Sequence, residues 1–598
     1  MAKSQLVGFQ GQNAGDAQKS NSREAEKQFF SDPSVQKTVT ELQQIFDACY
    51  QCQAVTSGKL SVQETLLYSR QYLEVLKGAA VDRDTPEGYR DCIAWSLFES
   101  LFFNQSDSLL TFDLIRWAAT SFPDDQILMA KMEDEVKRTG KQVEEASDYW
   151  RTTVFQLLSF HFVECAHLLQ DSGQQDQATE AFITALHRMN LEWLLQQDSM
   201  SAYISWQKSL GGQVASGIFD QNPNIKFLAG MLTGDKKVYS RLVEAIVPNW
   251  WQLVPLYTTT WYPAAEITQL PDIAEECRRL YPATGDQGDL FASILSLDHF
   301  SVLQEMIHPP YLAVHLADLI HASMSGAKED ENGTTTIYDL RNYLIKDYGK
   351  MLMTSSSIWT TGVNYLCTLG VEGRAEAEQH LLTIPIKGEN TANQIYRIAK
   401  EQRMDRAAQH VADTMVKKYL KTKCWGPAVA WALRGDDEDR NALDAVCHTV
   451  LQEASCEEVA QLYALENLGD RVLQSSGLTF LYSYFQFSKS LTDGLVHESL
   501  ALLITLFKGS TVPHRFSERL LEHLMDILGS VNEIPIEKEV LYELMSVVNQ
   551  LSTERLAEMP EDEARKMDNT AEFRMLRTLL SQAFVKTIAV DIGPAMES

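Results

Sequence analysis

A two-helix phrase recurs along this chain and limits what it can fold into. It appears in "IKFLAGMLTGDKKVYSRLVEAI" and in "GDLFASILSLDHFSVLQEMI". The two align residue for residue: Leu228-Ala229-x-Met231-Leu232-Thr233-x-Asp235 against Phe291-Ala292-x-Ile294-Leu295-Ser296-x-Asp298. Each continues into an amphipathic helix, a proline and an aromatic helix start, "PNWWQLVPLY" in one and "PPYLAVHLADLI" in the other. "FHFVECAHLLQDSGQQDQATEAFITAL" follows the same plan. "NYLCTLGVEGRAEAEQHLL", "IYRIAKEQRMDRAAQHVADTM" and "AVAWALRGDDEDRNALDAVCHTVL" are looser variants. One helical hairpin cannot bury its apolar stripe alone, whereas stacked hairpins bury a continuous core. The period is too irregular for a tetratricopeptide or HEAT array. The expected fold is therefore all-α, an irregular α-solenoid of helical hairpins.

Composition agrees. Only 17 prolines and 30 glycines interrupt 598 residues, which favours long helices. Residues 1–33 are rich in Gln, Ser, Asn and Gly and read as a flexible tail. Helical text starts at "SDPSVQKTVTELQQIFDACY", where Ser31 or Asp32 can cap and Pro33 suits the first turn. "KMEDEVKRTGKQVEEASDYW" marks a possible boundary, and "SMSGAKEDENGTTT" (323–336) is the clearest loop. "EMPEDEARKMDNT" precedes a last helix that carries Phe573, Leu576, Leu580, Phe584 and Ile588 on one stripe. That stripe serves either internal core or a partner.

The net charge is −29, from 52 basic and 81 acidic residues. Such a surface repels phosphate backbones and anionic lipid, so no direct nucleic-acid partner is expected. No stretch reaches the ~18 apolar residues of a membrane span, and the N-terminus lacks a signal-peptide core. A soluble, intracellular chain without a transmembrane segment is expected. The nine cysteines are irregularly spaced and suit free thiols. "CYQC" (Cys49 to Cys52) has no second pair at zinc-ribbon spacing and reads as two core thiols.

The stretch closest to chemistry is "HPPYLAVHLADLIHASM". His308, His315, Asp318 and His321 lie within it and suggest a metal helix. However, His321 is six residues from His315, ~120° round a helix. A zinc-protease helix needs histidines four apart with an adjacent Glu, and Pro309 and Pro310 separate His308 from the rest. The preferred reading makes His315 a buried, hydrogen-bonded side chain and places His321 near the helix end, where a cation suits the dipole. Other signals fail as well. "VGFQGQNAG" and "SLGGQVASG" lack dinucleotide spacing, and no phosphate loop or Gly-x-Ser-x-Gly elbow occurs. "DRDTPEG" starts like a calcium loop, but Pro86 and Glu87 occupy positions that need a ligand and a glycine. "GDDEDR" (435–440) clusters carboxylates where they favour a helix dipole. No catalytic, cofactor or metal residue is assigned, and an enzyme is not expected. Trp250, Trp251, Tyr257, Trp261 and Tyr262 form a dense aromatic cluster, read as core in preference to interface.

Ordered short patterns carry a resemblance. They are "LTGDKKVYSRLVEAIVPNWW", "HLADLI" after an aromatic helix start, "SIWTTGVNYLCTLGVEGRAEAEQHLLTIPI", "IYRIAKEQRMDRAAQHVADTMVKKYL" and "GPAVAWALRGDD". The last fits a small-x-Ala-x-x-Trp-x-x-Arg pattern through Gly426, Ala428, Trp431 and Arg434. Over roughly residues 150–480 the chain resembles the nucleoporin-85 family, the short-arm scaffold of the Y-shaped outer-ring complex. The resemblance implies an ancestral coatomer element, a J-shaped solenoid. Trunk helices would span 34–149, a crown 150–325, a returning trunk 326–490 and a C-terminal tail module 491–598. It implies a structural nuclear pore subunit at the nuclear envelope, needed for pore assembly, mRNA export and protein transport, with no catalytic residues and no cofactor. Its implied partners are a small WD-repeat β-propeller, the Sec-thirteen homologue, near the N-terminal region, and other helical Y-complex nucleoporins at the tail. One departure stands out: family members carry β-strands that complete the propeller, and here only "SQLVGF" could form a strand. Truncation, docking on the solenoid alone, or loss of the interaction would each account for this. Another coat-type solenoid, from a vesicle coat or a lysosomal signalling scaffold, is the alternative reading. An all-α metal hydrolase using His308, His315, Asp318 and His321 is a third.

Overall fold

The computed structural model describes residues 28–596, except 57, 105–108, 123, 141, 174–175, 190–193, 197–199, 282–288, 325–336, 436–439, 467, 510–512, 531–535 and 558–570. "SQLVGF", nearly all of the 323–336 loop, the carboxylates of "GDDEDR" and the 558–570 segment lie outside the described residues. Among those described, every regular element is a helix. The chain divides into two units, 1–373 and 374–598. Each has its own apolar core, from Phe30 to Tyr365 in the first and from Trp425 to Leu580 in the second.

The recurring phrase folds as helical hairpins. Pro223–Thr233 pairs with Lys236–Ala245, and Leu290–Leu295 pairs with His299–Glu305. Their shared aspartates are both N-caps. Asp235 accepts from the Lys237 amide, and Asp298 from the amides of Phe300 and Ser301. The residue before each aspartate is left-handed, Gly234 at φ 83° and Leu297 at φ 61°. The aspartate amide then donates five residues back, Asp235 to the Gly230 carbonyl (2.9 Å) and Asp298 to that of Ser293 (3.2 Å). This is a Schellman C-terminus whose C″ residue caps the next helix. The same joint recurs at Phe160–His161, Arg403–Met404, Lys423–Cys424 and Gly494–Leu495. It reverses the chain within two residues, so consecutive helices can bury their stripes against each other.

Four of these six joints place a residue other than glycine in the left-handed region, at a cost of ~1 kcal/mol each. Lys423 is exposed there. Lys423→Gly is expected to stabilise the second unit by a few tenths to about 1 kcal/mol, because relief of strain outweighs glycine's extra unfolded-state entropy. Thermal unfolding checks this; a lowered midpoint would count against the joint.

Within the first unit the chain comes back to its own start. The helix Pro310–Met324 packs on Pro33–Val55 and Val62–Arg83, and Ile337–Met353 and Trp359–Cys367 follow it. Asp32 caps the first helix, accepting from the Ser34 amide at 2.8 Å, with Pro33 in the first turn as expected. Phe30 meets Tyr348 and Phe46 meets Tyr365, with ring centroids 6.3 and 4.5 Å apart. Two glycines allow Ile337–Met353 and Trp359–Cys367 to cross closely. A Cβ on Gly362 would lie 2.6 Å from the Gly349 carbonyl oxygen and 2.7 Å from Met353 Cγ. Gly362→Ala should therefore destabilise the first unit by about 1–3 kcal/mol through overpacking. Gly78→Ala, at a helical position with open space, should be neutral or stabilising. Paired thermal unfolding separates the two; equal midpoints would refute the crossing.

The aromatic cluster is mostly core, as expected. Trp251 stacks on Phe291 at 4.1 Å and packs edge-on against Phe122. Trp250 is buried and donates to Asp289, whereas Tyr262 stays exposed with its hydroxyl on Glu276. In the second unit, Trp431 is buried and the Arg434 guanidinium lies 4.5 Å from its ring. Arg434 also donates to Asn393 at 2.6 Å, joining Trp425–Ala432 to Glu389–Glu401. The last helix, Ala571–Met596, packs on Lys538–Ala557 and His514–Ser530. Phe573, Leu576 and Leu580 are buried there, and Phe584 lies half-buried against Tyr542. The first part of that stripe is internal core.

Candidate functional site

The "HLADLIH" helix does not assemble a metal site. Its two fully buried polar side chains, His315 and Asp318, have partners inside the first unit. His315 is fully buried; its Nδ1 lies 2.5 Å from the Tyr311 carbonyl and its Nε2 2.8 Å from the Tyr365 hydroxyl. A carbonyl only accepts, so Nδ1 carries the proton and Nε2 accepts from Tyr365. Burial holds the imidazole pKa down, to about 4, against smaller opposing effects of the Tyr311 carbonyl and Asp318. Both ring nitrogens are therefore committed.

Asp318, three residues on, faces a different set of partners. Its Oδ1 accepts from Nε of Arg341 at 2.6 Å and lies 2.6 Å from Nη2 of the same guanidinium, and its Oδ2 accepts from Gln53 at 3.1 Å. Asp318 is 0% and Arg341 5% exposed. Cys49 lies beside this pair, its sulfur 3.8 Å from Oδ2, and burial followed by the Asp318 charge pushes its thiol far above the ordinary range. Cys49 is thus an inert core thiol, and Cys52 is free and half-buried beside Glu64. His321 corrects an expectation. Burial, and then Arg341, lower its pKa, so at the helix end it is held neutral and is not a dipole-favoured cation. His308 sits outside the helix, which begins at Pro310. Among the described residues no three His, Cys, Asp or Glu side chains gather at metal-binding distance.

The other candidates resolve into helix ends. In "DRDTPEG", Asp84 is a left-handed C-cap at φ 47° and Thr85 caps the next helix, so the segment is a joint and holds no ion cage. Sequence reasoning missed Gln53, Arg341 and Tyr365 as partners of the helix. They lie 23 to 265 residues away from it in sequence, and no local pattern links them. Apolar side chains, by contrast, remain outside. Val55, Val62 and Leu67 project from the first two helices with 85, 41 and 53% exposure. Tyr542, Met575 and Val585 are exposed on the last two. Among the described residues no helix is long and apolar enough to cross a membrane.

What such a molecule offers is faces, and comparison with known proteins identifies whose. The family model described as "Nup85 Nucleoporin" matches residues 23–550. The chain belongs to the Nup85 nucleoporin family. The Xenopus laevis nuclear pore complex protein Nup85 is 22% identical over 94% of this chain and 89% of its own length. Nup75 of Drosophila melanogaster is 23% identical over 75% of this chain and 68% of its own. Human Nup85 is 22% identical over 64% and 59%, respectively. The relatives are named as nuclear pore complex proteins. As a Nup85-family member the chain is a scaffold nucleoporin of the nuclear envelope pore, with other nucleoporins as its partners. The vesicle-coat and lysosomal readings are not favoured.

Proposed function

We propose that this chain is a structural subunit of the outer-ring Y-complex, supports pore assembly and thereby mRNA export and protein transport, and does no catalysis. The observation that carries this is a division of labour among side chains. The groups suited to chemistry, His315, Asp318 and Cys49, are committed inside the core, while apolar groups stand on the outer faces of the first and last helices. On this reading 34–149 and 326–490 form a trunk, 150–325 a crown, and 491–598 the tail that meets other helical nucleoporins. Packing of Pro310–Met324 against the first two helices supports a chain that turns back towards its start.

The small WD-repeat propeller would dock at the N-terminal region on the solenoid itself, where Val55, Val62 and Leu67 are exposed. A carboxylate placed at either contact would have to be desolvated without a partner, which together costs more than about 1.4 kcal/mol, a factor of ten in affinity. Val55→Glu combined with Leu67→Glu should therefore weaken co-purification of the propeller roughly tenfold or more. Size-exclusion chromatography of the mixed proteins, with helical melting of the variant as a folding control, checks this. A wild-type chain that never retains the propeller, or a double variant that binds undiminished, would sink this assignment.

A further inference from the structure

The first unit contains a cleft of about 460 Å3 close to where its described chain begins. It opens between Val62–Arg83, Pro86–Phe98 and the turn entering Pro310–Met324, and Phe29 and Phe30 form part of its wall. Leu76, Leu312 and Met351 make the rest mostly apolar. Its size falls within the range of ligand clefts. Its charges balance. Asp91 is ion-paired with Arg90 at 3.2 Å, and Arg83 and Glu87 stand with opposite signs on the same wall. One polar requirement is left. Arg83 Nη2 donates to the Tyr311 hydroxyl at 2.9 Å, but its Nε is buried with no hydrogen-bond partner among the described residues. A buried, unpaired N–H is destabilising until an acceptor reaches it.

We propose that the cleft is filled by the chain's own N-terminal stretch "SQLVGF", residues 4–9. Leu6, Val7 and Phe9 lie against the apolar wall, and a main-chain carbonyl among them accepts from Arg83 Nε. Four features select this occupant. The stretch is joined to the cleft: Phe29 and Phe30 are on the wall, and residues 10–27, at ~3.3 Å each, reach up to ~60 Å. It is apolar where the cleft is apolar: after Met1, Leu6, Val7 and Phe9 are the only large hydrophobic side chains before Phe29. It is uncharged where the cleft is charge-balanced: no residue between Lys3 and Asp16 ionises. It brings carbonyls along with its side chains, and Gly8 leaves the backbone open to Arg83. Docked there, the one strand-like stretch before the first helix is kept from pairing with a partner's sheet edge. The inference does not rest on the propeller assignment, whose surface is Val55, Val62 and Leu67.

The test compares two full-length chains with labelled Met and Leu methyl groups. One is wild type. The other combines Leu6→Ser, Val7→Ser and Phe9→Ser, which all precede the first core residue, Phe30. Methyl signals of Met351, Leu76 and Leu312 should differ between the two, and the difference should survive tenfold dilution. The peptide acetyl-Ser-Gln-Leu-Val-Gly-Phe-Gln-amide, added to the triple variant, should move those signals saturably towards their wild-type positions. The wild-type chain should need roughly tenfold more of it, because a peptide half-saturating at ~0.1 mM competes with about 1 mM of its tethered copy. Arg83→Lys, added to the triple variant, keeps the charge, removes the Nε donor and should raise the half-saturation several-fold. Identical methyl signals in the two chains, an equal peptide response in both, or a half-saturation unmoved by Arg83→Lys would overturn the proposal. So would a difference that fades on dilution, which would mean that a second copy supplies the segment.

Discussion

Arg341→Met is expected to cost the first unit about 3–5 kcal/mol, a greater loss than the glycine crossing. The reason is the carboxylate it strands. Asp318 is 0% exposed, and both guanidinium contacts at 2.6 Å fall on its Oδ1. With Arg341 gone, its charge loses its ion-pair partner and keeps hydrogen bonds from Gln53 at 3.1 Å and the weak donor Cys49. A buried charge left with so little is costly, whereas a well-packed apolar pair in its place is often neutral or better. Combining Arg341→Met with Asp318→Leu should therefore recover most of the loss. Because the chain has two units, the readout should be local: amide exchange in Pro310–Met324, with Val496–Lys508 as the unaffected reference. Undiminished protection in Arg341→Met, or a double variant worse than the single, would show that the pair does not hold the helices together.

Much of this architecture is legible in local sequence because hairpin stacking is a local device. The alignment of Asp235 with Asp298 marks two N-caps, and Pro33 and Gly234 mark a helix start and a stop. The joints at Phe160, Leu297, Arg403 and Lys423 are not legible, because each places an ordinary side chain where the signal would be glycine. Tertiary packing overrides propensity there. Polar residues in the core show the same limit from the other side. His315, Asp318 and His321 suggest a site by spacing, and only the long-range partners decide otherwise. Tyr365 takes one imidazole nitrogen and Arg341 takes the carboxylate, from positions that no periodicity connects to the helix. Function was readable through ordered family patterns. One of them now has a physical account: Trp431 and Arg434 stack and bond two neighbouring helices together.

The same cluster should make the first unit sensitive to acid. His315 is buried neutral, with its pKa held down to about 4 by burial against an ordinary 6.5. Between those pH values the unfolded chain binds a proton that the folded chain refuses, so stability rises with pH across the window. The contribution is complete above pH 6.5, is lost as pH falls towards 4, and levels off below. Its size is about 3 kcal/mol, from 1.36 kcal/mol for each unit of difference. Protonation would also force Nε2 to donate to the Tyr365 hydroxyl, reversing a hydrogen bond inside a packed aromatic cluster. His299, His321 and His523 are lowered in the same direction by their own burial, and carboxylates titrate nearby, so the wild-type profile alone does not isolate His315. His315→Gln does. Gln keeps a donor and an acceptor but cannot charge, so the other groups cancel when the two chains are compared. The variant should be less stable than wild type at pH 7.5, and the gap should close by about 3 kcal/mol on going to pH 4. Amide exchange in Pro310–Met324 across that range provides the measurement. A gap that stays constant with pH would mean that His315 titrates alike in the folded and unfolded chains, and that the helix is held by Asp318 and Arg341 alone.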